Sequence, residues 1–253
     1  MSLTCSAWPR RPRPRPALFA AILCALAARP LQAQRPAPLD AFPAPTRPVA
    51  SIVAPRWVDE STRDQLQEAE LVLRALGVRA GMTVADIGAG DGYYVSHLVP
   101  LLGDSGRVFA VDVEPRYLAM LRDRVRQARW TTVDVRAGAG HDPRLPDASV
   151  DVALMIHMYH EITQPYGLLY HLAYALKPDA LVGVVDMEAP PRQHGTPTPL
   201  LRCEFEALGY RFVRRDVLAD GAYLVTFRAP TAATRVTSPA AVRERVSAAA
   251  CAA

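Results

Sequence analysis

Cysteine is scarce in this sequence, with four residues among 253, and two of the four lie in the first 33 positions. The other two, Cys203 and Cys251, are too few for metal-ligand spacing or for a disulfide framework. We expect Cys203 to pack within a helix and Cys251 to be exposed in an Ala-rich tail. The sequence also lacks an H-E-x-x-H run or similar spacing, so it predicts no metal site.

A net positive charge is also missing once the first 33 residues are set aside. The formal net charge is +4, but five arginines and no acidic residue precede Gln34. Without those arginines the net charge falls to −1. No basic patch remains that would indicate a nucleic-acid partner.

A long apolar run is absent as well. The apolar stretch Ala17 to Ala28 is 12 residues long, whereas a bilayer span needs about 20. It follows the basic segment Arg10 to Arg15 and precedes Leu31-Gln32-Ala33, an order typical of a cleaved signal peptide. We therefore predict a signal peptide at 1–33, export to the periplasm, and no stable membrane insertion after processing. The alternative is a mis-called start codon and a cytoplasmic protein.

A strand, a glycine turn and a helix follow one another near the start of the main domain. Thr83 to Ile87 predicts a short buried strand, and Tyr93 to Leu102 predicts an amphipathic helix. Gly88, Gly90 and Gly92 lie between them. Glycines permit positive φ and let a ligand approach the backbone, so the unit is typical of one half of a nucleotide-binding α/β fold. A tight turn that binds nothing is the alternative.

Buried strands and amphipathic helices continue to alternate, which predicts an α/β fold with a parallel sheet covered on both faces. One helix is expected from Ser61 or Thr62 to Leu76, one after Pro115, and one at 165–176. The further parallel strands are predicted at Arg107 to Val111, Thr131 to Ala137, Val150 to Ile156 and Leu181 to Val185. A helix at 200–208 and a strand pair at 210–216 and 222–227 follow. Pro-rich residues 34–56 are expected to form a linker, and residues 231–253 a disordered tail.

The run from Asp86 to Gly92, Asp-Ile-Gly-Ala-Gly-Asp-Gly, resembles the first motif of class I S-adenosylmethionine-dependent methyltransferases. The run Tyr159-His160-Glu161 resembles a subgroup of small, often exported bacterial members. The resemblance extends from Trp57 to Phe227 at the level of the fold, which makes residues 57–230 the methyltransferase domain. It implies a doubly wound, mostly parallel seven-stranded sheet with an antiparallel last strand, the Rossmann-like methyltransferase fold. It also implies S-adenosyl-L-methionine as cofactor.

Acidic residues at strand ends are the predicted cofactor ligands, together with Gly88, Gly90 and Gly92. Asp112 lies 24 positions after Gly88, where a carboxylate accepts the hydroxyls of a ribose. Glu114 competes for this role, and Asp112 could instead cap the next helix.

Two further acids are assigned through the resemblance. It gives Asp86 a contact with the methionine part of the cofactor, with hydrogen bonding to the glycine turn as the alternative. It places the loop after the third strand over the adenine, where His141 or Asp142 would serve. The alternative for Asp142 is a turn residue before Pro143.

The loop after the fourth strand carries the predicted catalytic residues Tyr159, His160 and Glu161. In open α/β sheets ligands bind at the carboxyl ends of the strands. Histidine has an ordinary pKa of about 6.5 and is suited to act as a general base. In the alternative interpretation, His160 and Glu161 only bind backbone groups and fix the loop.

The predicted function is S-adenosylmethionine-dependent methyl transfer to a small-molecule acceptor. The segment Met187 to Thr198 is short and Pro-rich, which leaves little room for a large substrate domain. One alternative is a non-catalytic exported binding protein on a methyltransferase scaffold. The other is a nucleotide-dependent oxidoreductase, which is disfavoured because Tyr93 stands where the dinucleotide fingerprint requires its third glycine.

Overall fold

The structure is a computed structural model that describes residues 37–52 and 60–251. The predicted signal peptide at 1–33 lies outside the described residues, as do both ends of the predicted linker. Within the described part of the chain, none of the helices combines the length and the apolar character that a bilayer span requires.

A seven-stranded sheet forms the centre of the domain, in the order β3-β2-β1-β4-β5-β7-β6. Strands β1 to β5 pair in parallel, while β7 is antiparallel to both of its neighbours. This confirms the predicted doubly wound sheet with an antiparallel last strand. The strands are β1 Thr83–Ile87, β2 Arg107–Asp112, β3 Val133–Ala137, β4 Val150–Ile156, β5 Leu176–Met187, β6 Arg211–Val217 and β7 Ala222–Arg228.

Helices cover both faces of the sheet. They are α1 Glu60–Gln65, α2 Glu68–Ala75, α3 Tyr93–Leu102, α4 Pro115–Ala128, α5 Pro165–Ala175, α6 Thr198–Ala207 and α7 Pro239–Ala249. Successive strand residues point to opposite faces. Val84 accordingly belongs to the apolar cluster that contains residues of α2 and α3, and its neighbour Ala85 belongs to the cluster that contains residues of α5 and α6. The central strands are therefore apolar on both sides, which explains their short continuous hydrophobic runs.

The strand order reverses between β1 and β4. Both pair in parallel, with Val84 opposite Val152 and Ile87 opposite Met155. Their crossover connections leave on opposite sides of the sheet, so a crevice opens at their carboxyl ends, where open α/β sheets bind ligands. The glycine turn and the loop at 157–164 both begin at this point.

The predicted single helix ending at Leu76 is two helices in the structure. The chain breaks at Gln67, whose φ of +52° is left-handed. The break brings Glu68, at the start of α2, into buried contact with Tyr94 and His157. Local periodicity does not reveal this break because the contacts that accompany it come from distant parts of the chain.

The prediction of a disordered tail at 231–253 is wrong for its described residues, because they contain α7. The side chain of Ser238 caps this helix by accepting from Ala241 N, and Val242 and Val246 are buried one turn apart. Cys251 is buried and forms a disulfide with Cys203, which corrects the expectation of an exposed thiol. The Ala-rich composition of this segment gives little sign of the two buried valines of α7. The two cysteines are distant in sequence and come together only in the folded chain.

Residues 37–52 of the predicted linker pack on the domain. The buried ring of Phe42 lies 5.3 Å from that of Tyr170. The guanidinium of Arg47 forms a buried ion pair with Glu204 of α6, at 3.0 Å. The amide of Ala50 donates to the carbonyl of His160 at 3.0 Å. This part of the linker is thus anchored beside the loop that carries the predicted catalytic residues.

Candidate active site

A cavity of about 660 Å³ opens at the carboxyl ends of β1, β2, β4 and β5. Ligand sites for small molecules and cofactors commonly enclose 300–1,000 Å³. Of the predicted site residues, six line this cavity: Asp86, Gly88, Gly90, Asp112, His160 and Glu161.

The glycine turn forms the floor of the cavity. Gly88 and Gly90 both have positive φ, and the amides of Gly88 and Ala89 donate to the carbonyl of Val111 at 2.8 and 3.0 Å. A Cβ added at Gly90 would meet no atom within 4 Å. The backbone at Gly90 therefore faces open space, as close approach of a ligand requires.

Gly92, a predicted cofactor ligand, has a different role in the structure. It is buried with a φ of +95°, and an added Cβ would lie 2.6 Å from Cδ1 of Leu121. It does not line the cavity. Gly92 lets α3 begin close to α4. A glycine is therefore needed at this position because of helix packing.

Asp112 lies directly beside the glycine turn. Its Oδ2 accepts from the amide of Gly90 at 2.9 Å, and its Oδ1 accepts from the amide of Glu114 at 2.8 Å. Each carboxylate oxygen can accept a second hydrogen bond, so both keep capacity for a ligand hydroxyl. The bond to Glu114 orders the residue that precedes α4, but Glu114 is the N-cap residue of this helix and has no side-chain cap hydrogen bond. The capping alternative for Asp112 is therefore wrong.

Asp86 is buried at the end of β1. Burial, and to a smaller extent the nearby charge of Asp112, raises the pKa of Asp86 to about 7, although the guanidinium of Arg63 opposes the shift. The group therefore changes charge near neutral pH, and a cation bound beside it would favour the ionised form.

A network that the sequence did not predict closes one side of the cavity. Arg63 stacks 3.8 Å from the ring centre of Tyr93. Glu68 accepts from the hydroxyl of Tyr94 at 3.1 Å and pairs with Nε2 of His157 at 2.8 Å. Burial would raise the pKa of Glu68, but its bond to His157, with the charges of His157 and Arg63, holds that pKa below the ordinary value. The network depends on the helix break at Gln67.

His160 is buried and held by a carboxylate. Its Nδ1 lies 3.0 and 3.1 Å from the two oxygens of Asp186, which is fully buried at the end of β5. Asp186 also accepts from the hydroxyl of Thr196 at 2.7 Å and from the amide of Met187 at 2.9 Å. Such a carboxylate fixes the orientation and tautomer of an imidazole. Because the predicted fifth strand ended at Val185, the sequence interpretation missed Asp186.

Tyr159 and Asp142 do not reach the cavity, which corrects both predictions. The hydroxyl of the fully buried Tyr159 donates to Oε2 of Glu204 at 2.7 Å, so the side chain belongs to the core network of Arg47. Oδ1 of Asp142 accepts from the amide of Arg144 at 2.7 Å. Asp142 is thus the turn residue of the alternative interpretation.

Comparisons with known proteins point to methyltransferases. Residues 85–184 match the family model described as a methyltransferase domain. The demethylmenaquinone methyltransferase of Tropheryma whipplei (strain Twist) is 30% identical over 153 residues, which cover 60% of this chain and 56% of that protein. A protein-L-isoaspartate O-methyltransferase of Methanothrix thermoacetophila is 35% identical over 65 residues, covering 26% of this chain and 31% of that protein. The chain thus spans little more than half the length of the first curated relative.

Solved structures show the same architecture. A SAM-dependent methyltransferase from Aquifex aeolicus has a TM-score of 0.61 and 25% identity, covering 68% of this chain and 100% of that chain. A possible exported protein from Bordetella parapertussis has a TM-score of 0.55 at 14% identity, covering 67% and 68% of the two chains, a likeness that shows the fold alone. The domain therefore has the Rossmann-like methyltransferase fold, and the comparisons support a methyltransferase domain at residues 85–184.

Proposed function

We propose that this protein transfers a methyl group from S-adenosyl-L-methionine to a small-molecule acceptor. One observation carries the proposal: the Asp112 carboxylate lies 2.9 Å from the amide of Gly90 and lines the cavity where the strand order reverses. A carboxylate at the end of the second strand, beside a glycine turn, suits the hydroxyls of a ribose.

The remaining cavity residues fit the same molecule. The open backbone at Gly90 leaves room for close approach, and Asp112 offers two acceptor oxygens. Asp86 would pair with the ammonium of the methionine part. Arg63 is the arginine among the described lining residues, and a guanidinium suits the carboxylate of the same part. Bound S-adenosylmethionine supplies a methyl group that its sulfonium has already activated.

The chain's own contribution is to position the acceptor and manage its proton. His160 is fixed through Nδ1 by Asp186, and its Nε2 lies on the side of Glu161 at the cavity wall. An imidazole held in this way can accept a proton from a hydroxyl, thiol or amine acceptor. The segment between β5 and α6 forms a loop, and no separate substrate domain is present within residues 37–52 and 60–251. Both observations favour a small acceptor.

Calorimetric titration with S-adenosylmethionine and S-adenosylhomocysteine tests the proposal. We expect the wild type to bind both molecules, and Asp112→Ala to bind them roughly 10- to 150-fold more weakly, since hydrogen bonds to a charged group contribute about 1.5–3 kcal/mol. Asp142→Ala removes a carboxylate outside the cavity and should bind like the wild type.

Two outcomes would argue against the proposal. Absence of binding to the wild type would exclude the cofactor assignment. Binding without release of S-adenosylhomocysteine, for any tested hydroxyl, thiol or amine acceptor, would favour the non-catalytic scaffold.

We further propose that the mature protein is exported. The pairing of Cys203 with Cys251 supports this, because disulfides persist in oxidising compartments such as the periplasm. Fractionation of cells that express the full chain should yield a periplasmic product with Gln34 at its N-terminus and no free thiol at Cys203. A cytoplasmic product that retains Met1 and reduced cysteines would refute export.

A further inference from the structure

Three side chains in the cavity wall meet with a donor set typical of metal sites. His160, Glu161 and His194 each offer one ligand atom, and the three atoms lie within 4.8 Å of one another. Nε2 of His160 is 3.9 Å from Oε1 of Glu161, and the two imidazole rings are 5.3 Å apart at their centres. The ligands of a tetrahedral zinc ion, bound at 2.0–2.1 Å, are about 3.3 Å apart. Small side-chain rotations would bring the three atoms to that spacing.

The surroundings of His160 are those of a metal-bound imidazole. Its Nδ1 is bonded to the buried Asp186, whose carboxylate is held in turn by Thr196 and by the amide of Met187. Metal-ligating histidines almost always direct their second nitrogen to a carboxylate, a carbonyl or water. This arrangement leaves Nε2 as the nitrogen of His160 that can bind an ion.

His194 supplies an independent observation. Its Nδ1 is buried and makes no hydrogen bond among the described residues. A buried polar atom without a partner costs free energy, and ligation through this nitrogen would remove that cost. The backbone of His194 also has a left-handed φ of +55° at the end of the short 3-10 helix Pro191–Gln193. Left-handed conformations of non-glycine residues cluster at functional sites.

The local charges suit a divalent cation. Glu161 would contact the ion directly, and Asp186 lies behind His160 with a side chain that is 0% exposed. The carboxylates of Glu161 and Asp186 together balance the charge of one divalent ion, so the buried site as a whole would be neutral.

We propose that His160, Glu161 and His194 bind one divalent transition-metal ion, with zinc as the reference ion. Two histidines and one glutamate are a ligand set of catalytic zinc sites, which keep an open position for water or substrate. Here all three residues line the cavity. An acceptor oxygen or sulfur could occupy the open position, and coordination would then promote its ionisation. With the ion bound, Nε2 of His160 holds metal rather than a proton, so the metal takes over the activating role. This role for the ion rests on the proposed function, whereas metal binding does not.

Titration of the EDTA-treated protein with ZnCl₂, followed by calorimetry, tests the site. We expect one zinc ion per chain at this site. Glu161→Gln and His194→Ala each change a half-buried side chain that is a proposed ligand. Loss of a residue that only orients a ligand typically weakens metal binding roughly 10- to 100-fold, and these two variants should weaken it by more. Asp186→Asn should fall within that range. His97→Ala, which removes another carboxylate-paired histidine outside this cavity, should leave zinc affinity unchanged.

Two further measurements make the test independent of folding and of methyl transfer. Circular dichroism identifies variants that are unfolded. Co²⁺ in place of zinc reports the number of ligands through its visible absorption. Absence of zinc binding to the wild type, or equal zinc affinity of folded Glu161→Gln, His194→Ala and wild type, would overturn the proposal. Those results would leave binding of S-adenosylmethionine untouched, so the two proposals can fail separately.

Discussion

Replacing Arg47 with methionine should destabilise the protein by about 3 kcal/mol. The Arg47 and Glu204 side chains are 0% and 1% exposed and lie 3.0 Å apart. Removing one partner of a buried ion pair typically costs 3–5 kcal/mol because the other charge stays buried. We expect the lower end of this range of free energies, because Tyr159 still donates a hydrogen bond to Glu204 at 2.7 Å. For a chain of this size, such a loss lowers Tm by roughly 6–12 °C.

The cost should depend on pH in a direction set by Glu204. Burial raises the pKa of Glu204 above its ordinary 4.5, although Arg47 and Tyr159 oppose the shift. Without Arg47 the pKa rises further, and a group with a raised folded-state pKa loses stability as pH rises through that value. The deficit of Arg47→Met should therefore be small near pH 4.5 and should grow as the pH rises above that value.

Urea unfolding followed by circular dichroism measures both effects. Arg74→Met is the matched control, because Arg74 pairs with Glu70 at 3.9 Å on the surface, with both side chains about 70% exposed. That change should cost less than about 1 kcal/mol at any pH. In the double variant Arg47→Met/Glu204→Leu, the deficit should shrink, since no uncompensated charge remains. Equal losses for Arg47→Met and Arg74→Met, or a deficit independent of pH, would refute this reasoning.

Three other predictions concern the disulfide, Asp86 and Gly92. Serine at both Cys203 and Cys251, which are 48 residues apart, should cost about 4 kcal/mol by the loop-entropy relation; a loss below about 1 kcal/mol in thermal unfolding would contradict it. Affinity for S-adenosylmethionine should fall roughly tenfold per pH unit below 7, because Asp86 has a pKa of about 7 and only its ionised form attracts a cation. Titrations of Asp86→Asn should lack this dependence, and an unchanged slope would exclude Asp86 as its source. Gly92→Ala should lower stability by about 1–3 kcal/mol through backbone strain and contact with Leu121, while the folded variant keeps wild-type affinity; weaker binding would restore Gly92 as a cofactor ligand.

Patterns within about ten residues were enough to predict the sheet and the floor of the cavity. Central strands of a parallel sheet are buried on both faces, so β1 and β4 have apolar runs that are visible in the sequence. The glycines follow β1 directly, and Asp112 ends the neighbouring strand. Parallel strands carry their carboxyl ends to one edge, so adjacency of Asp112 and the turn follows from the order of elements alone.

Tertiary structure decided which neighbouring side chains face the cavity. Tyr159 and His160 are adjacent in sequence, yet one enters the core beside Glu204 and the other meets Asp186. The short 3-10 helix Tyr159–Glu161 sends successive side chains in different directions. Composition shows neither the helix nor its orientation.

The sequence by itself determined the fold class and the glycine–aspartate pair, because both arise from the regular period of strands and from the direction in which they run. Only the folded chain brought His194 to His160, 34 residues earlier, and Cys251 to Cys203. These two contacts depend on where the loops and the last helix pack. That packing results from many weak contacts between distant segments, which cannot be predicted from a local sequence pattern.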